Sequence, residues 1–248
     1  MIREIRKKMV LLGNRVPFSQ KTKEYIDYLE RVDWVEMNLR LSGSSLGRQQ
    51  VEGILDGEMV MSASVEEHMR ASRLNELRNE IYRLDERRVS VSERLIMHFA
   101  LLVSGNEISA YRKSTPVLPE LSYTPIMPYE IAEMMKKLVL FISDESELVN
   151  PFEKAAEIHN RMMMIMPFRD FNREIAIALL EYYLVSKGFP MAYLEISEQE
   201  YNRRLCDYHA AATAIKGNVS AFGETAFYCD LAEAVMKRLE LMIQLTDY

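Results

Sequence analysis

Phe152-Glu153-Lys154-Ala155-Ala156-Glu157-Ile158-His159-Asn160-Arg161-Met162-Met163-Met164-Ile165, running into Met166-Pro167-Phe168-Arg169-Asp170-Phe171-Asn172-Arg173-Glu174 and on to Lys187-Gly188-Phe189-Pro190, is the stretch around which the chain is arranged. In its first part Phe152, Ala155, Ala156, His159, Met162 and Met163 recur at helical spacing and lay one apolar stripe along a helix. Pro167, which lacks an amide donor, cannot continue that helix. Asn172 is a competent N-cap for a new one. Ile175, Ala178, Leu179, Tyr182 and Ser186 mark its face until Lys187-Gly188 and Pro190 end it. The segment predicts helix, short polar loop, helix.

Outward from there, the 248 residues suffice for one large or two small domains with an ordinary core. Apolar residues make up 48% and charged residues 27%, the balance of a folded globular chain rather than a disordered one. A net charge of −6 gives no general attraction to nucleic acid or to an acidic membrane, so neither is expected as a partner. Cys206 and Cys229 are too few for a disulfide framework and lack metal-ligand spacing, which points to a reducing compartment and to small buried side chains. The basic N-terminal stretch has too short an apolar run for a signal peptide. No run approaches the roughly 18 apolar residues of a membrane span. The expectation is a cytoplasmic protein. The 17 methionines read as filler of irregular helical cores, with a soft binding groove as the other use.

Glycine and proline are sparse, and most segments between them have a period near 3.6, which predicts an all-α fold. Residues 1–20 read as a basic arm. Helices are expected over Ser19–Arg40, Val65–Leu84, Ser90–Val103, Glu130–Ile142, Leu194–Ala212 and Phe227–Leu245, with an acidic connection over Asp144–Val149. Tyr111–Val117 and Ser122–Pro128 are the only extended segments, and their prolines confine them to sheet edges. His98, alone on a helix, reads more readily as a packing residue than as a catalyst.

The central stretch resembles the Fic family motif, roughly A-H-x-x-F-x-x-I-H-P-F-x-D/E-G-N-G/K-R followed by a helix and G-x-P. His159, Ile165, Pro167, Phe168, Asp170 and Asn172 agree with it, as does Gly188-Phe189-Pro190. Met166 stands at the family's catalytic histidine, Phe171 and Arg173 at its two loop glycines, and Glu174 at its phosphate-binding arginine. The resemblance spreads over about residues 25 to 245. Asn38 to Ser45 is similar to the segment whose glutamate autoinhibits many members by pairing with that arginine; Ser42 occupies its place. Tyr111-Arg112 and Tyr123 to Pro128 are similar to the borders of the family's flap. Ser197 to Leu205, Gly217-Asn218-Val219 and Phe227 to Leu245 resemble its closing elements. This implies an all-α Fic fold with a small β-hairpin flap, divided into an arm (1–20), N-terminal helices (21–105) and a Fic core (106–248) with flap 111–128 and motif loop 166–174.

The family's chemistry, as the resemblance implies it, is transfer of AMP from ATP to a protein hydroxyl. The histidine is the base, the acidic residue holds Mg²⁺, and the loop amides at the helix N-terminus cradle phosphate. A thioether carries no titratable proton, and loss of a general base typically costs about 10² to 10⁴-fold. His159 lies two helical turns back, roughly 10 Å along the axis at about 1.5 Å per residue. Side chains at both glycine positions and a carboxylate at the arginine position oppose a phosphate. Asp170 is the one candidate metal ligand left, and Arg173, one residue early, the one candidate for phosphate. The expectation is a bacterial Fic-fold pseudoenzyme with no cofactor, binding a protein through a flap that includes Tyr111, Arg112, Val117 and Tyr123. A divergent AMP transferase using ATP and Mg²⁺, or a nucleotide sensor without turnover, are the alternatives. Homo-oligomerisation stays open.

Overall fold

A computed structural model of the chain describes residues 1–145, 150–214 and 225–246. Its elements are α1 (Ile2–Gly13), α2 (Gln20–Leu41), α3 (Arg48–Leu55), α4 (Val65–Glu86), α5 (Glu93–Ser104), a 3₁₀ turn at Pro128–Glu130, α6 (Ile131–Ser143), α7 (Pro151–Ile165), α8 (Asn172–Ser186), α9 (Glu198–Ala214) and α10 (Ala226–Leu245). Most starts are written in local chemistry. The Ser19, Ser64, Ser92, Asn150 and Thr225 side chains each accept an amide at the head of their helix. At α4 the Glu67 side chain returns the bond to Ser64, a full capping box, and Pro151 fills the first turn of α7, where its missing donor costs nothing.

The pair α7 and α8 is the centre. Helices α4 and α5 pack on α8, while α6, α9 and α10 pack on α7. Phe152, Ala155, Ile158, Phe168, Ile175, Ala178 and Leu184 are wholly buried there. Trp34 of α2, Ile5 of α1 and Val235 of α10 belong to the same continuous apolar cluster. The expected N-terminal arm is therefore helical over most of its length. Ile2, Ile5, Met9 and Leu12 form the face of α1 that joins the core, and α1 lies on α10. The expected burial of both cysteines needs correcting, since Cys206 is half-buried and Cys229 exposed. The Gly217-Asn218-Val219 segment lies outside the described residues.

The flap hairpin is not present: among the described residues there is no strand, and 111–127 is an irregular loop. Prolines 116, 119 and 125 remove amide donors that a ladder needs. One side chain ties the loop down instead. The buried Arg112 guanidinium donates from Nε to Met166 O at 2.6 Å, and from Nη2 to Ile126 O at 2.5 Å and Ile165 O at 3.2 Å. Its Nη1 donates to Ser114 O at 2.9 Å. The five donors of arginine thus gather carbonyls from both ends of the loop and from the end of α7.

Candidate functional site

Helix α7 ends where the Met166 amide donates to Met162 O at 2.8 Å and Met166 turns to φ +41°, the left-handed region. Phe171 reaches φ +59° just before α8 begins. Side chains other than glycine cost about 1 to 2 kcal/mol in this region, so at 171 the loop has a backbone that glycine would adopt more easily than the phenylalanine present. The cap assignment shifts by one residue. Phe171 is the N-cap, and Asn172 is the first helical residue. Asn172 clamps the loop instead: its Oδ1 accepts from Phe168 N and its Nδ2 donates to Phe168 O, both at 2.9 Å. Phe168 is fully buried beneath, its ring 5.8 Å from that of Tyr111.

Glu174 is the decisive residue. It is 2% exposed, in the first turn of α8, and its carboxylate is held by two groups distant in sequence. Ser42 Oγ donates to Glu174 Oε1 at 2.9 Å, and the Arg70 guanidinium of α4 forms an ion pair with the same oxygen. Gly43, at φ +83°, turns the chain after α2 so that Ser42 can point there. Ser42 and Glu174 therefore meet, with a cation from a third helix on the carboxylate. The carboxylate sits against the positive end of the α8 dipole, where a bound anion would otherwise sit.

Arg173 is committed to structure. Its Nη1 donates to Leu41 O and lies 3.4 Å from Glu198 Oε1, Nη2 donates to Asn202 Oδ1 at 2.9 Å, and the guanidinium rests 4.9 Å from the Tyr201 ring centre. Asp170 is exposed, with Oδ1 accepting the Phe171 amide at 2.8 Å. Among the described residues no group of three His, Cys, Asp or Glu side chains is placed to hold a metal. The loop, Ser42 and Arg70 border a pocket of about 300 Å³, into which Met166 and Phe171 also face. Three arginines, Arg70, Arg169 and Arg173, meet four carboxylates there, Glu174, Asp170 and Glu198 among them, so the pocket has no surplus of positive charge. Mg·ATP, which Fic adenylyltransferases use in general, does not fit these residues: the anion's place is filled by Glu174 and the glycine-lined approach by the Phe171 side chain.

His159 does not line this pocket. It is fully buried, its Nε2 2.6 Å from Tyr201 OH and its Nδ1 3.1 Å from Asn160 Oδ1, and it stacks on Phe227 at 4.3 Å. Burial is the main cause that lowers its pKa to about 3, so it is a neutral packing group. His98 is a surface partner of Glu80 at 3.1 Å. Of the flap residues, Arg112 is buried among carbonyls and Tyr111 donates to Glu93 Oε2 at 2.7 Å. Tyr123 is 7% exposed and stacks on His209 at 4.6 Å, which removes it from any target-facing surface. Val117, at 88% exposure, does face outward, joined by Met127 and Tyr129. Arg70 and Asn202 escaped sequence reasoning. A buried carboxylate at 174 demands a cation, but nothing local singles out an arginine 104 positions away.

Residues 88–184 match the model of the Fic/DOC family. The protein adenylyltransferase fic-1 of Caenorhabditis elegans is 28% identical over 169 residues, covering 66% of this chain and 33% of that protein. The probable protein adenylyltransferase aq_aa38 of Aquifex aeolicus is 24% identical over 166 residues, covering 67% and 51%. The chain thus spans a third to a half of the length of these relatives. A crystal structure of a Fic domain-containing signalling protein from Bacteroides thetaiotaomicron superposes with a TM-score of 0.82 at 21% identity, covering 99% of this chain and 97% of that one. A structure of Fic-1 from Caenorhabditis elegans gives 0.70 at 21% identity, covering 98% and 69%. At such identities the superpositions establish the fold.

Proposed function

Since the chain is a Fic/DOC family protein, we propose that it is a pseudoenzyme of that fold, without AMP-transferase activity, which acts by binding a protein partner at the loop over its vacated site. The observation that carries this reading is the buried Glu174, seated at the arginine position and held there by Ser42 and Arg70. Met166 at the base position cannot take a proton, and Glu174 at the arginine position cannot neutralise a phosphate. The exposed apolar groups Val117 and Met127 of the loop and Tyr129 of the 3₁₀ turn after it are available to contact a partner. Incubation with α-labelled ATP and candidate hydroxyl-bearing proteins tests the first half: no label is expected to transfer, and transfer above a heat-killed control overturns the reading.

A second reading, a nucleotide sensor without turnover, draws on one observation. The Nε atoms of Arg70 and Arg173 are buried without hydrogen-bond partners beside the same pocket. Calorimetric titration of Mg·ATP separates the two. The pseudoenzyme reading expects no binding in the low micromolar range, and the sensor reading requires it.

A further inference from the structure

Two exposed faces of the chain combine apolar side chains with charge of opposite sign. On α1 the core side is Ile2, Ile5, Met9 and Leu12. At about 3.6 residues per turn the outer side is Arg3, Arg6, Lys7, Val10 and Leu11, and all five are exposed. The second face lies between α3 and α4. From Gln49 to Met69 the chain has five carboxylates, Glu52, Asp56, Glu58, Glu66 and Glu67, and neither lysine nor arginine. Glu52 and Asp56 pair with Arg48 and Arg31, and Glu67 is held by Ser44 and Ser64. Glu58 and Glu66 stand exposed, and so do Met59, Met61, Val65 and Met69, with Met61 at 90%.

These apolar groups are held outward by the local structure. The Val60 amide donates to His68 Nε2 at 3.1 Å, and Gln50 Nε2 donates to Ser62 Oγ at 2.6 Å. The loop that carries Met59 and Met61 is thus fixed to the first two turns of α4, where Val65 and Met69, four residues apart, share a side. A group of exposed methionines rimmed by charge has the character of a docking surface, and thioether side chains adapt to what they meet. Charge then selects the occupant. Two copies of this face would bring Glu58 and Glu66 against their own kind, whereas the outer side of α1 offers three cations beside Val10 and Leu11. Within one chain the two faces are out of reach of each other. Met9 and Leu12 of α1 share a cavity wall with Arg78 and Tyr82, late in α4, and Val65 at its start is about 20 Å from Arg78 along the axis.

We propose that α1 of one copy of this chain docks, basic side first, on the acidic methionine face between α3 and α4 of another. The contact is heterologous, so association proceeds head to tail until a ring closes. Neither face includes a residue lining the pocket beside Glu174, so the contact is independent of the partner proposed for the loop. The groups involved are fewer than a standard interface needs, so the expected dissociation constant is about 10 to 100 μM. Sedimentation velocity of the full chain is expected to show a weight-average mass that rises with concentration and falls back when salt is raised to about 0.5 M. Arg6→Glu/Lys7→Glu and Glu58→Lys/Glu66→Lys are each expected to stay monomeric alone, with helical circular dichroism unchanged. Mixed in equal amounts, each acidic face meets a basic α1 and each basic face an acidic α1, and the mass is expected to rise again. Met59→Ser/Met61→Ser is expected to weaken association about tenfold. A parent that stays monomeric, a parent that stops at a salt-independent dimer, a reversal variant that associates as the parent does, or a mixture that stays monomeric overturns the proposal. If Glu66→Lys unsettles the start of α4, Glu58→Lys alone, mixed with Arg6→Glu/Lys7→Glu, decides in its place.

Discussion

Replacing Arg70 by methionine removes the cation paired with Glu174 while keeping a side chain of similar length. The Glu174 side chain is 3% exposed and that of Arg70 26%. Breaking a fully buried ion pair by deleting one partner costs about 3 to 5 kcal/mol, because the other charge is left desolvated. Here Ser42 continues to donate to the carboxylate, and the pocket beside it admits water, so the expected cost is about 2 to 3 kcal/mol. For a chain of this length that is a fall in Tm of about 5 to 10 °C. Glu174→Gln on the same background leaves no charge to desolvate, and the double variant is expected to return to within about 1 kcal/mol of the parent. Urea unfolding of the parent, both single variants and the double closes a thermodynamic cycle, with an expected coupling of about 2 kcal/mol between 70 and 174. An Arg70→Met variant as stable as the parent, or a double variant whose loss equals the sum of the singles, refutes the assignment of Glu174 as a buried, paired carboxylate.

Met166→His is expected to give no AMP transfer, because the phosphate site is lost independently of the base and members of one catalytic unit do not act additively; labelled product from that single variant contradicts this. His159, with its pKa lowered to about 3, stays neutral when folded but is protonated when unfolded below about pH 6.5. Its contribution to stability is thus intact above pH 6.5 and is lost as pH falls toward 3, by about 2 kcal/mol at pH 5. The buried Glu181 carboxyl, raised well above the usual range mainly by desolvation, has the opposite dependence. The readout is therefore the difference between the parent and His159→Gln stability profiles, and parallel profiles from pH 7 to 5 rule the argument out. Val117→Asp is expected to leave Tm within about 1 °C of the parent, since surface changes are mostly within ±0.5 kcal/mol, while weakening capture of any partner bound through the loop. Retention of an identified partner at parental affinity by Val117→Asp/Tyr129→Asp excludes that surface.

The helical frame was legible because its signals are local. The stripe from Phe152 to Met163, the stop at Pro167 and the run from Ile175 to Ser186 each specify an element without knowledge of what packs on it. The loop over the site was not. Its prolines correctly forbade a helix, yet whether such a segment pairs as a hairpin depends on competing partners for its backbone, and Arg112 took the relevant carbonyls. At the site, the residue types at 166, 171, 173 and 174 were readable, but what holds Glu174 was not, because Arg70 reaches it only when α4 packs on α8. The N-cap moved from Asn172 to Phe171 because the asparagine amide found a better use in bonding both polar atoms of the Phe168 backbone.

With Asn172 supplying the closure of the loop, no guest is required to keep it folded. Phe171 hangs from a turn that its side chain does not secure, so exchange there is expected to be tolerated, with glycine the easiest visitor because φ is +59°, whereas Met166 is 4% exposed in the core and is not free to change. Variation in the turn is therefore expected to collect at 171, beside an asparagine at 172 whose two bonds to the Phe168 backbone do not tolerate exchange.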